Sequence, residues 1–188
     1  MNKKAFWFDT ETTGLSGQKN DLIQLAYLIE INGEIEEEGS VYCQPFDYNT
    51  INAKALEVNK LTVAKLKEFP TPQETYKKLQ AVLDKYVDRY NREDKFSPAG
   101  YNVAFDVNFL KNFFLKNNDK YYGAFFDYHM INVDSLLYLF DYKGIIKLEN
   151  YKLVTVAKHF GIEFNAHDAL ADIKTTRQVF YKLLEYFK

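Results

Sequence analysis

The run Ala5-Phe6-Trp7-Phe8 leads without a break into Asp9-Thr10-Glu11-Thr12-Thr13-Gly14-Leu15. A strand sends successive side chains to opposite faces, so an apolar run with no polar alternation reads as a central strand covered on both sides. Asp9 and Glu11, two residues apart, then project together from one side of its end. Like charges held this close repel unless a cation sits between them, and oxygen-only ligands favour magnesium or manganese over zinc or copper. Gly14 permits the turn by which the chain leaves the strand. The plainer alternative is a strand that ends in a polar turn.

A chain of 188 residues is long enough for one domain with a full core and too short for two comfortable ones, so residues 1–188 are expected to form a single domain. Hydrophobic content of 47% and aromatic content of 17% indicate a globular protein that folds alone. Cys43 is the only cysteine, which excludes an internal disulfide and a thiolate metal cluster and points to a reducing compartment, the cytoplasm being the simplest. After Met1-Asn2-Lys3-Lys4 the apolar stretch is too short for a signal-peptide core, and no later run approaches membrane-spanning length, so no membrane association is expected. A net charge of −2 argues against a broad basic surface for nucleic acid, so any polyanion contact is local. Only Arg89, Arg92 and Arg177 are arginine, against 21 lysines, which leaves little scope for bidentate reading of bases.

Three strands are expected first, over residues 4–10, 22–31 and 38–44, with Asn32-Gly33 as a hairpin signal between the last two. Ala53, Ala55, Leu56, Val58 and Leu61 have helical spacing, and a second helix is predicted over 73–89 after Pro70 and Pro72. Residues 96–101 read as a fourth strand despite Pro98 and Gly100. Phe105, Phe109, Leu110, Phe113 and Phe114 then predict a helix over 104–116, which puts Asp106 in its first turn, where the macrodipole favours a carboxylate. The stretch 117–129 has no clear period and reads as a loop or insertion. A fifth strand is expected over 130–133, with Asp134 as the N-cap of the helix through Leu136 and Leu139. A helix over 150–160 stops at Gly161, and a last one runs from about Asp168 to the C-terminus.

His167-Asp168-Ala169-Leu170-Ala171-Asp172 is the second informative string. Five residues turn a helix by about 500°, so His167 and Asp172 cannot share one helix face. With Asp168 as N-cap, Asp172 sits one turn inside and His167 stays in the entering loop, free to reach a nearby site. An imidazole there suits a general base, whereas His129 and His159 read as surface or capping residues. Asp9, Glu11, Asp106 and Asp172 together make four acids, and two divalent cations would bring four positive charges against them. Such a site fits phosphodiester hydrolysis.

Asp9-Thr10-Glu11-Thr12-Thr13-Gly14-Leu15, Asn102-Val103-Ala104-Phe105-Asp106 and His167-Asp168-Ala169-Leu170-Ala171-Asp172 resemble, in order and spacing, the three motifs of the DEDDh 3′→5′ exonucleases. That group contains the proofreading subunit of bacterial DNA polymerase III, and the resemblance runs from residue 4 to about 185. The sister group carries Tyr four residues before the last acid, where this chain has Asp168, so the His version is the better match. The resemblance implies an α/β, ribonuclease H-like fold: a mixed five-stranded sheet, its first three strands antiparallel, with helices on both sides. It implies two Mg²⁺ or Mn²⁺ ions as cofactors. Asp9, Glu11 and Asp172 would hold one, Asp9 would reach the second, and Asp106 would act through metal-bound water. His167 would deprotonate the attacking water, and the product would be a nucleoside 5′-monophosphate.

By the same resemblance, Thr12, Thr13, Gly14 and Leu15 would meet the terminal nucleotide through backbone groups and an apolar wedge, with Asn102 and Phe105 lining the same pocket. Ordinary core packing is an equal alternative for Leu15 and Phe105. Val58-Asn59-Lys60-Leu61 resembles a family segment that more often reads Val-His-Gly-Ile, so the sugar contact expected at Asn59 departs from the pattern, and Tyr101 replaces a residue that is often His. The implied substrate is the 3′ end of single-stranded or frayed DNA, taken without sequence preference. The alternatives are a 3′→5′ exoribonuclease and an inactive nucleic-acid-binding subunit, the latter opposed by all five catalytic positions being filled. A DNA polymerase or another replication or repair protein would be the protein partner, unless the enzyme works alone.

Overall fold

A computed structural model describes residues 3–163 and 168–187. Five strands, β1 (Lys4–Thr12), β2 (Leu22–Ile31), β3 (Glu34–Tyr42), β4 (Ser97–Gly100) and β5 (Ile131–Asn132), form one sheet in the order β3-β2-β1-β4-β5. The helices are α1 (Ala53–Val58), α2 (Val63–Leu66), α3 (Pro72–Leu83), α4 (Val103–Lys116), α5 (Tyr122–Phe125), α6 (Val133–Tyr142), α7 (Leu153–His159) and α8 (Ala169–Leu184). β1 is central, antiparallel to β2 and parallel to β4, and β2 pairs antiparallel with β3, so the sheet is mixed as expected.

The apolar run of β1 is explained by what covers each face. Phe6 and Phe8 enter a core with Leu79 and Leu83 of α3 and Leu110 and Phe114 of α4. Ala5 and Trp7 enter a second core with Leu137 of α6, Val156 of α7 and Ile173, Val179 and Leu183 of α8. Alternation along the strand thus feeds two cores, and neither face of β1 can accept a polar residue until the strand passes them.

Several boundaries differ from expectation. Asn32 and Gly33 turn with φ of 54° and 92°, and Ile31 pairs directly with Glu34, so β3 begins at the turn and not at residue 38. Its acidic opening lies on the sheet's edge, where charge is tolerated and discourages pairing with another chain. Helix α3 stops at Leu83, although Val87 still reaches the core through the turns that follow. Its start has a capping box, Thr71 with Glu74, and Pro72 at the first position. Within 117–129, read as a loop, lies α5, a single turn that docks Tyr122 and Phe125 on Phe114. One turn is too short to show a period. Asp134 does not cap α6: the cap position falls on Asn132, the strand before it is two residues long, and Asp134 lies in the helix's first turn. Among the described residues no helix is long and apolar enough to cross a membrane.

One buried polar network holds α8 against the sheet. Glu30 on β2 is 8% exposed, and it accepts from Trp7 Nε1 at 3.2 Å, from Tyr181 Oη at 2.7 Å and from Arg177 Nε. Arg177 also donates to the Gly33 carbonyl at 2.6 Å, and its guanidinium lies 4.7 Å from the Tyr181 ring. A carboxylate this deep is tolerated only with such partners. Removing it strands Arg177 beside the apolar core, so Glu30→Ala should lose about 3 kcal/mol of stability in urea unfolding. Glu30→Gln, which keeps an acceptor for Trp7 and Arg177, should lose less.

Candidate active site

The last residue of β1 to pair with β4 is Trp7, opposite Ala99. Beyond it, β1 pairs with β2 alone, Asp9 opposite Ala26 and Glu11 opposite Gln24, so the strand's other flank is open where the carboxylates emerge. Into that flank α4 brings Asp106 from its first turn. The Thr10 backbone N–H and hydroxyl both donate to Asp106 Oδ1, at 2.9 and 2.7 Å. Thr10 lies between the two acids of β1 and faces the opposite way, so one residue spaces Asp9 from Glu11 and also anchors the third acid. Its role was not anticipated from the sequence; the only signal was a hydroxyl side chain between two acids at a strand end.

Asp172 arrives from α8. Asp168 caps that helix, its carboxylate accepting from the N–H groups of Leu170 and Ala171 at 3.0 Å each, and Asp172 follows one turn in. The capping expected for Asp168 is therefore present. His167, the expected base, lies outside the described residues.

The four carboxylates sense one another. Burial, followed by the charges of Asp106, Glu11 and Asp172, holds the Asp9 carboxyl well above the usual carboxylate range. Burial also raises Asp106, against the opposing pull of the Thr10 hydrogen bonds and with the added push of Glu11, to about 7. Among the described residues no lysine or arginine forms an ion pair with Asp9 or Asp106. No set of three or more carboxylate, imidazole or thiol groups among them closes into a ready-formed metal cage. The acids instead border open space. A cavity of about 260 Å³ is lined by Asp9, Asp106 and Asp172 together with Asn102 and Phe105. A second, of about 330 Å³, is lined by Glu11 and Asp172 with Asn59, Lys60 and Tyr42. Asp172 borders both, so the acid cluster stands between two openings. Oxygen donors whose charges help to hold the Asp9 and Asp106 carboxyls high fit a hard divalent cation, whose charge would offset the repulsion.

The segment after β1 is held by the fold. Thr12 Oγ1 donates to the Gly14 carbonyl at 2.7 Å, and Asn59 Nδ2 donates to the Thr12 carbonyl at 3.0 Å. Thr13 is fully buried: its N–H donates to the Asp21 carbonyl, its carbonyl accepts from Asn52 N–H, and its hydroxyl accepts from Asp21 N–H. The two threonine hydroxyls, the Thr13 N–H and the carbonyls of Thr12, Thr13 and Gly14 are thus engaged within the protein. Gly14 lies in the bend that follows β1, as expected. Its φ is not positive, but a Cβ there would lie 2.4 Å from the Asn20 side chain.

Leu15 is 85% exposed, which removes core packing as its role. Phe105 is partly exposed into the cavity, its ring 4.9 Å from Phe109. Asn102 is exposed at the start of α4 and makes no capping bond with its side chain. Lys60 adopts φ 55°, at the position where glycine was expected. The Tyr101 hydroxyl donates to the Tyr151 carbonyl, which ties the cavity wall to the segment before α7.

Known proteins resemble this chain in sequence or in fold. The PolC-type DNA polymerase III of Thermotoga maritima is 29% identical over 181 residues, 96% of this chain and 12% of the polymerase. That of Clostridium perfringens is 28% identical over 173 residues, 92% of this chain and 10% of the polymerase. The chain therefore spans roughly a tenth of these relatives. E. coli Exonuclease I in complex with a dA16 oligonucleotide superposes with a TM-score of 0.75 at 21% identity, over 98% of this chain and 41% of that one. Cell-death related nuclease 4 superposes with a TM-score of 0.73 at 14% identity, over 98% of this chain and 64% of its own. Both likenesses bear out the expected ribonuclease H-like fold. With the RNase T exonuclease profile matching residues 6–180, this chain belongs to the exonuclease family.

Proposed function

We propose that this chain is a divalent-metal-dependent 3′→5′ exonuclease that acts as a single domain on single-stranded or frayed DNA and releases nucleoside 5′-monophosphates. The observation that carries the reading is the meeting of Asp9, Asp106 and Asp172 around one cavity, with Glu11 beside them, at the end of the central strand. DNA is favoured over RNA because the relatives include DNA polymerases, and the solved neighbours include Exonuclease I bound to dA16 and dT13 oligonucleotides. A polymerase or another replication or repair protein is the partner suggested by those relatives. The buried Cys43, its thiol pushed up to about 12 by burial, suits a reducing compartment such as the cytoplasm.

Asp9, Glu11 and Asp172 would hold one Mg²⁺ or Mn²⁺, with Asp9 reaching a second and Asp106 holding a water. Ions bound there supply positive charge against the carboxylates and the phosphate oxygens and make a water more acidic. The protein does the rest. Thr10 fixes the Asp106 carboxylate, and the Glu30 network fixes the helix that carries Asp172. Leu15, exposed four residues after Glu11, would present an apolar side chain to the terminal base, and Phe105 offers an aromatic face within the cavity. His167 accepts a proton from the attacking water, whose oxygen bonds to phosphorus as the 3′ oxygen of the preceding nucleotide leaves.

Given Mn²⁺ and a 3′-end single strand, the wild-type chain should release mononucleotides, while Asp9→Ala or Asp172→Ala should fall below about one-hundredth of its rate with folding intact. Wild-type turnover in either variant would remove the site. In matched digestions RNA should be consumed more slowly than DNA; the reverse order would make the chain an exoribonuclease. His167→Ala should lose about 10²- to 10⁴-fold in turnover while calorimetry still detects Mn²⁺ binding. Unchanged turnover would end the assignment of His167 as base.

The raised carboxyls also set a pH dependence in chelator. Asp106 titrates near 7 when folded and near 3.8 otherwise, so between those values the folded state holds the extra proton. Its contribution is complete below about 3.8 and is lost as pH rises through 7. In EDTA, wild type should therefore lose more Tm between pH 6 and pH 8 than Asp106→Asn does. Adding Mn²⁺ should raise the wild-type Tm more at pH 8 than at pH 6, and equal losses in the two proteins would refute the account.

A further inference from the structure

We propose that Lys116 and Asp21 are positioning residues: their ion pair ties the far end of α4 to the loop that presents Leu15, so substrate affinity depends on a contact outside the acid cluster. Asp21 is 2% exposed, and the mechanism above does not use it. Its Oδ1 accepts from Lys116 Nζ at 2.6 Å, and its Oδ2 accepts from Asp47 N–H at 3.1 Å. Its main chain is bonded in both directions to Thr13, through the Thr13 N–H and the Thr13 hydroxyl, each at 2.8 Å. Lys116 Nζ also donates to the Asn20 carbonyl at 3.2 Å, and the ammonium lies 5.8 Å from the centre of the Phe46 ring.

Within the loop between Thr13 and Asp21, Gly14 and Gly17 are buried, and a Cβ on Gly17 would lie 2.8 Å from the Asn108 side chain, so the loop already rests on α4 midway. Leu15 at its tip is exposed, so packing does not set its position. The closing end is held by polar contacts, where Asn20 accepts from Ser16 N–H through its side chain, donates to the Thr50 carbonyl and fills the space beside Gly14. Lys116 grips that end. Because α4 also carries Asp106 in its first turn, the helix works as a strut: Thr10 fixes its entry beside the acids, and Asp21 couples its exit to the loop. Loosening the exit should disturb where Leu15 meets a base and leave the Thr10 to Asp106 bonds in place. That predicts an effect on binding more than on the chemical step.

The kinetic claim rests on the exonuclease reading; the structural one does not. Lys116→Met keeps the aliphatic stem over Phe46 and removes the charge. The double variant Asp21→Asn with Lys116→Met also removes the buried unpaired carboxylate, so it recovers stability without recovering the ion pair. Lys116→Arg restores a cation, and Lys85→Met, which removes an exposed partner of Glu37, is the control. With a dT oligonucleotide and Mn²⁺, KM should rise about five- to tenfold in Lys116→Met and in the double variant, with kcat within about twofold. Lys116→Arg should approach wild type, and Lys85→Met should match it. Hydrogen exchange over residues 12–20 should be faster in the first two proteins whether or not the chain degrades DNA. A KM that recovers in the double variant, a loss confined to kcat, or unchanged exchange over 12–20 would overturn the proposal. Absence of nuclease activity in wild type would instead remove the exonuclease reading and leave the exchange result to decide the strut.

Discussion

Two hydrogen bonds from Thr10 to one oxygen of Asp106 join the central strand to α4, and the site depends on that junction. A carboxylate at the start of a helix is already favoured by the macrodipole. Here it also accepts the N–H that β1 can no longer offer to β4, whose pairing with β1 ends at Trp7. An unsatisfied strand donor and a buried acid thus solve each other's problem, at a place where Asp9 and Glu11 must also emerge. The helix is drawn onto the open flank of the strand, and its arrival makes the cavity.

The acids are held there against their own electrostatics. Burial and mutual repulsion raise Asp9 and Asp106, so the cluster works against stability near neutral pH, and the cores on both faces of the sheet must outweigh it. The Glu30 network performs the opposite service for α8. There a buried carboxylate is fully met by Trp7, Arg177 and Tyr181, and it contributes position as well as stability. One chain thus contains a satisfied buried acid that fixes a helix and a strained acid cluster that fits a cation. Arg177 meets Glu30, whereas among the described residues no lysine or arginine pairs with Asp9 or Asp106.

Much of the fold could be read directly from residue pattern. The unbroken apolar run of β1 required covering on both faces, and Asn32-Gly33 marked the hairpin of β2 and β3, because each is a local property with one low-energy outcome. The phenylalanine spacing of α4 and the Asp168 cap of α8 were legible for the same reason. The misses were elements too short to carry a period or set by contacts remote in sequence. Helix α5 is one turn, β5 is two residues, and β3 opens with glutamates that only an edge position tolerates.

Residue order alone determined that four acids would lie at a strand end and in the first turns of two helices, because strand alternation and helix capping are decided within a few residues. It also determined their chemistry, since carboxylate oxygens suit a hard cation wherever they meet. Only the tertiary structure decided that Thr10 anchors Asp106, that Thr12 and Thr13 are engaged within the fold, that Gly14 lies against the Asn20 side chain, and that Leu15 faces solvent. Each of these depends on a partner far along the chain, brought near by packing of the two cores, and no local pattern encodes such a distance.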